Sequence, residues 1–107
     1  MNPAKRRRLE AAGWKVGSSQ DFLGLTDEDV EYIELHLSLA ALLTKRRKSL
    51  GYTQTQVADL IGSSQSRVAK MESGDPSVSV DLIIRTLLAL GVNRKQVGRA
   101  IGAAVSA

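Results

Sequence analysis

The chain has 107 residues, 43% of them hydrophobic, a formal net charge of +4 and no cysteine. That length supports one domain with a modest core, and the missing cysteines exclude disulfides, a thiolate metal site and a cysteine nucleophile. One Trp, two Tyr and one Phe are too few rings for stacking on single-stranded bases to be the main binding mode.

The charge is uneven. Residues 1–34 carry five basic and seven acidic side chains, whereas residues 35–107 carry ten basic and four acidic. Positive excess in the later part suits an anionic partner, although ordinary solubility charge would give the same sum. The basic run Lys5-Arg6-Arg7-Arg8 has no apolar stretch behind it, so no signal peptide is expected. No window reaches the roughly 18 apolar residues a membrane span needs, and a soluble cytoplasmic protein is the expectation.

In chain order, Asn2-Pro3 begins a short helix over Lys5 to Ala12 that Gly13 closes. Its basic run reads either as an arm that tracks DNA or, preferably, as the charged face of a surface helix. Trp14-Lys15-Val16-Gly17 is extended, and Ser18 or Ser19 caps a brief helix through Phe22-Leu23. Trp14, Val16, Phe22, Leu23 and Leu25 concentrate large apolar surface in a stretch with little structure of its own. Such a segment either folds back onto the following helix or docks into a partner. Residues 1–25 are therefore read as an N-terminal extension, 26–101 as the domain and 102–107 as a frayed tail.

Thr26 ahead of Asp27, Glu28 and Asp29 is a strong helix start, with the acids against the positive end of the helix dipole. Val30, Ile33, Leu37, Leu39, Leu42 and Leu43 then keep a helical rhythm into Lys45-Arg46-Arg47-Lys48, with no Gly or Pro before Gly51. One long helix over about 27–49 is predicted, with His36, the only histidine, on its surface.

Tyr52 to Gly74 reads as two short helices joined by a tight turn. Thr53 caps the first by accepting the backbone N–H of Thr55 or Gln56. Val57, Ala58 and Ile61 fall on its inward face with Leu60 beside them, and Ala58 is small where a second helix must cross closely. Gly62 stops this helix by entering the left-handed region. Ser63 or Ser64 caps the second, in which Val68 and Met71 face inward and Gln65, Ser66, Arg67 and Lys70 outward. Gly74 and Asp75-Pro76 end it. Ser79 caps a further helix whose Val80, Leu82, Ile83, Leu87, Leu88 and Leu90 supply core. Asn93 with Gln96 makes a capping box for a last helix to about Ile101. No alternating β pattern competes, so the fold class is all-α.

Thr53-Gln54, Val57-Ala58, Gly62, Ser64, Val68, Glu72 and Gly74 together resemble the signature of the Cro/lambda-repressor-like (XRE) helix-turn-helix family. The resemblance runs from about Leu39 to Leu90. It implies a lambda-repressor-like bundle behind the N-terminal extension, acting as a sequence-specific binder of double-stranded DNA. A repressor that docks as a homodimer on a palindromic operator is the implied form. Gln65, Ser66 and Lys70 match base-reading positions, and Arg67 suits base or phosphate. Gln54 matches a residue that contacts phosphate and braces the recognition helix, and Thr53, Ser64 and Ser73 are grouped with it as phosphate contacts. Arg47 and Glu72 match a structural salt bridge.

By analogy the dimer surface lies within Leu87 to Ile101, or secondarily in the N-terminal segment. Ala12 to Gly17 with Phe22-Leu23-Gly24-Leu25 is similar to the extension of some HigA-like antitoxins, which sequester a RelE-type toxin and repress their own operon. Trp14, Val16, Phe22 and Leu23 would then bind the partner. A protein-interaction adaptor with weak DNA affinity is the alternative, against which the intact Gln54, Gln65, Ser66 and Lys70 speak. An enzyme has few parts here: one histidine, no Gly-rich phosphate loop and acidic clusters that helix starts explain. No catalytic residue, metal, cofactor or small-molecule effector is expected.

Overall fold

The computed structural model describes residues 26–103 and, ahead of them, Arg7 alone. Trp14, Val16, Phe22 and Leu23, the short helices expected before residue 26, and the tail past residue 103 lie outside the described residues. Within them the chain forms five helices: α1 Asp27–Ser49, α2 Gln54–Ile61, α3 Gln65–Ser73, α4 Val80–Ala89 and α5 Arg94–Gly102.

Each helix begins where a side chain can satisfy the otherwise unpaired N–H groups of a first turn. Thr26 accepts from the Asp29 N–H at 3.1 Å while the Asp29 carboxylate accepts from the Thr26 N–H at 2.9 Å. Thr53 with Gln56, and Asn93 with Gln96, repeat this reciprocal box at α2 and α5. Ser64 and Ser79 cap α3 and α4, accepting from the Arg67 and Leu82 N–H groups. Of the two serines offered by the sequence, Ser64 is thus the cap of α3. The helix that starts at Thr26 keeps acids in its first turn and Arg46, Arg47 and Lys48 in its last, matching the helix dipole at both ends.

The turn between α2 and α3 depends on Gly62, whose φ of 67° lies in the left-handed region that costs any L side chain roughly 1–2 kcal/mol. Gly74 (φ 73°) closes α3 in the same way, and there a Cβ would also meet Leu37 Cδ2 at 2.5 Å. The left-handed backbone is what calls for glycine at 74, since the Leu37 methyl ends a flexible side chain that can swing aside.

At about 1.5 Å per residue, α1 is a spine some 35 Å long. It packs against α3, α4 and α5, while α2 packs on α3 and α5 on α4. Leu39 and Leu43 of α1 meet Val57 and Ala58 of α2, Val68 and Met71 of α3, Ile83 and Leu87 of α4, and Val97 of α5 in one buried cluster. Thr86 joins it without leaving a polar orphan: its hydroxyl donates to the Leu82 carbonyl at 2.8 Å and lies 3.6 Å from Met71 Sδ.

Three placements differ from the sequence expectation. Leu88, expected in the core, is 51% exposed, because α4 turns Ile83, Thr86 and Leu87 inward. Leu60, expected beside the inward face of α2, is 60% exposed, since α2 rests on α3 through Val57 and Ala58. His36, expected on a helix surface, is buried at 1% exposure, in the same stripe as Ile33, Ala40 and Leu43. Tyr32 stands edge-on to its ring, with centroids 6.3 Å apart.

Burial pushes the His36 imidazole below its ordinary range, with the Asp75 carboxylate pulling weakly the other way. The folded chain thus binds this proton less readily than the unfolded chain. The stabilisation is complete above the unfolded value of about 6.5 and is lost as pH falls through it towards the folded value. Urea midpoints are expected to drop between about pH 7.5 and about pH 5.5, and His36→Leu to flatten that slope. An unchanged slope in the variant would assign the titration to another group.

Candidate nucleic-acid interface

The residues singled out on α3 lie on one accessible face. Ser64, Gln65, Ser66, Arg67 and Lys70 are all exposed, while Val68 and Met71 on the opposite side are fully buried. The helical period separates the two sets, and packing of α3 on α1 and α2 fixes which faces solvent.

Behind that face runs a chain of polar contacts that crosses three elements. The Arg47 guanidinium grips Glu72 with two donors, Nε to Oε2 at 2.6 Å and Nη2 to Oε1 at 3.0 Å. Its remaining Nη1 donates to the Tyr52 carbonyl at 2.9 Å, tying the end of α1 to the loop before α2. Gln54 Nε2 donates to Glu72 Oε1 at 3.2 Å, and Gln54 Oε1 accepts from Gln65 Nε2 at 2.7 Å. The first outward residue of α3 is therefore held by a carboxamide that is itself held by a nearly buried ion pair. The side chains of Arg47 and Glu72 are only 14% and 6% exposed. The Glu72 carboxylate hydrogen-bonded to it keeps the Arg47 guanidinium further above its already high range.

The hydroxyls grouped as phosphate contacts are placed differently from one another. Thr53 and Ser64 spend lone pairs on the Gln56 and Arg67 N–H groups; Thr53 keeps its O–H proton as a donor, while the Ser64 hydroxyl also shares a 3.4 Å hydrogen bond with that of Ser66. Ser73 gives its proton to the Lys70 carbonyl at 3.0 Å, so it presents an acceptor to the outside. Thr53 is exposed and Gln54 half-buried at the start of α2.

One neighbour was not legible as part of this surface. A polar depression of about 350 Å³ beside α3 is lined by Ser64, Ser66, Arg67, Lys70, Ser77 and Val78. Ser77 reaches it because Asp75 turns the chain after Gly74, its carboxylate accepting from the Ser77 N–H at 2.8 Å. Asp-Pro-Ser after a helix-ending glycine is the signal that would have found this turn. Hydrogen bonds from Ser77 hold the Asp75 carboxyl below its ordinary range, and the positive charge of Lys70 adds to the effect.

Chemically the face offers one carboxamide, three hydroxyls, a guanidinium and an ammonium, with no carboxylate lining the depression. Such a set donates to anionic oxygens and to base edges. Among the described residues no group of His, Asp and Glu could hold a metal ion, and no helix is long and apolar enough to cross a membrane. Neither a curated protein nor a solved structure matches the chain. A helix-turn-helix family model does, over residues 43–97, from the second half of α1 to the middle of α5. With α2, the glycine turn and α3 at the centre of that span, the chain belongs to the XRE-type helix-turn-helix family of DNA-binding regulators.

Proposed function

We propose that this chain is a sequence-specific repressor that lays α3 in the major groove of double-stranded DNA, with Gln65, Ser66, Arg67 and Lys70 towards the bases. Gln54, Thr53, Ser64 and Ser73 lie at the phosphates on either side. The observation that carries the reading is the bracing of Gln65 by Gln54, itself anchored on Glu72. A carboxamide held at one N–H keeps its carbonyl and second N–H for the N6 and N7 edge of adenine. A solvated surface glutamine needs no such support.

By analogy with the family the reading includes a homodimer on a palindromic operator, with half-sites about 34 Å apart. Action on DNA places the protein in the cytoplasm. Repression stands ahead of toxin neutralisation because the braced Gln65 and the hydroxyl, guanidinium and ammonium donors beside α3 favour a DNA target, whereas capture of a RelE-type partner through Trp14, Val16, Phe22 and Leu23 rests on sequence resemblance alone.

The test is selection from a random duplex library at two salt concentrations, repeated with Gln65→Ala. Wild type is expected to recover a palindrome with steeply salt-dependent affinity. The variant should lose about 1–3 kcal/mol of discrimination at one base pair per half-site while keeping its affinity for unrelated DNA. Equal weakening on every sequence would remove Gln65 from the readers. No enrichment with either protein would favour the adaptor.

A further inference from the structure

A second surface, sharing no residue with the α3 face, lies between the first half of α1 and the end of α5. It is a groove of about 590 Å³ lined by Glu31, Tyr32, Glu34, Leu35, Ile101 and the backbone beyond it. Tyr32 and Ile101, large apolar side chains at its mouth, are 50% and 39% exposed. Volume in this range takes bulky apolar groups. We propose that the groove is the docking site of this chain's own N-terminal segment, with Trp14 and its neighbours up to Leu25 covering Tyr32 and Ile101.

Three features favour this occupant. The first is reach: the α1 wall of the groove begins five residues after Thr26, about 8 Å along the axis. From Trp14 to Leu25 the chain can extend to about 36 Å, so it can reverse at Thr26 and return along α1. A tether this short also gives the segment a millimolar-range effective concentration at the groove.

The second is composition. Trp14, Val16, Phe22, Leu23 and Leu25 include the only Trp and the only Phe of the sequence. The third is charge: the rim carries Glu31 and Glu34, while the segment, with one Lys and one Asp (Lys15 and Asp21), is neutral and adds no net acid to it. A second copy of the chain is the poorer match, since a two-fold contact across this groove would bring two acidic rims together.

Trp14 is the only tryptophan, so its emission in the intact chain reports directly on the docking. In the native protein its emission is expected to be blue-shifted, and its quenching by acrylamide several-fold weaker, than in urea. Both should be unchanged on dilution through any dimer dissociation seen by sedimentation. Ile101→Glu should return emission and quenching to the unfolded values while leaving the helical circular dichroism in place. Should that variant fail to fold, Tyr32→Ser, at a half-exposed position, supplies the same reading. Native emission equal to that in urea overturns the proposal. So does burial that neither substitution moves, which puts Trp14 elsewhere, and burial that fades on dilution, which makes a second copy the occupant. None of these outcomes bears on α3, so the DNA-binding assignment stands or falls separately.

Discussion

Replacing Glu72 with alanine is expected to lower the stability of the domain by about 3 kcal/mol and to loosen Gln65 as well. The carboxylate accepts both Arg47 donors and one from Gln54, in a setting where its side chain is 6% exposed. Its removal leaves a guanidinium with little water and only the Tyr52 carbonyl as partner. An uncompensated charge of this kind costs roughly 3–5 kcal/mol when fully buried, and the residual exposure of Arg47 favours the low end. Arg47→Met leaves the carboxylate with Gln54 alone and should cost a similar amount.

The double variant Arg47→Met/Glu72→Met should recover most of either loss, because no charge is then stranded. Urea midpoints of the four proteins measure this, and single-variant losses under about 1 kcal/mol would show that water screens the pair. DNA selectivity should fail separately from stability. The double variant, though folded, lacks the acceptor that positions Gln54 behind Gln65.

Two adjacent leucines provide the second large effect. Leu87→Ala should cost about 3 kcal/mol, near the middle of the range for a fully buried leucine whose cavity cannot collapse. Leu88→Ala, at 51% exposure one residue further along α4, should cost under about 0.5 kcal/mol. Since small domains have total stabilities of about 5–15 kcal/mol, the first substitution removes a large share and the second almost none. Thermal and urea denaturation of both variants decide it, and equal losses would mean that Leu88 is covered in the folded protein.

That pair also shows where reading the sequence stops. The spacing of apolar residues around Leu87 and Leu88 is compatible with either facing inward, and α1 on one side of α4 selects Leu87. His36 and Leu60 were misplaced for the same reason: burial is a property of the neighbours that a helix meets. What was legible was local. Thr26, Thr53, Asn93 and the glycines at 62 and 74 act on backbone within a few residues, so their chemistry can be written down without the fold.

The candidate interface was legible in a mixed way. Helical period alone put Gln65, Ser66, Arg67 and Lys70 on one face. The Arg47–Glu72 pair, 25 residues apart, came only through family resemblance. Ser77 was missed because its approach to Arg67 and Lys70 depends on how the Asp75 turn folds back beside α3.

The lengths of α2 and α3, eight and nine residues, have a dynamic consequence. Helices below about 12 residues scarcely persist alone in water, and these two hold their shape through tertiary packing, α2 resting on α3 through Val57 and Ala58 and α3 burying Val68 and Met71 against its neighbours, the α1 spine among them. Local opening of α3 would have to give up that packing, so the amides around Val68 to Met71 should exchange with solvent only in the rare events that unfold the whole domain. The surface offered to DNA is then ordered before contact, and association is spared the entropic cost of folding a reading helix on its target.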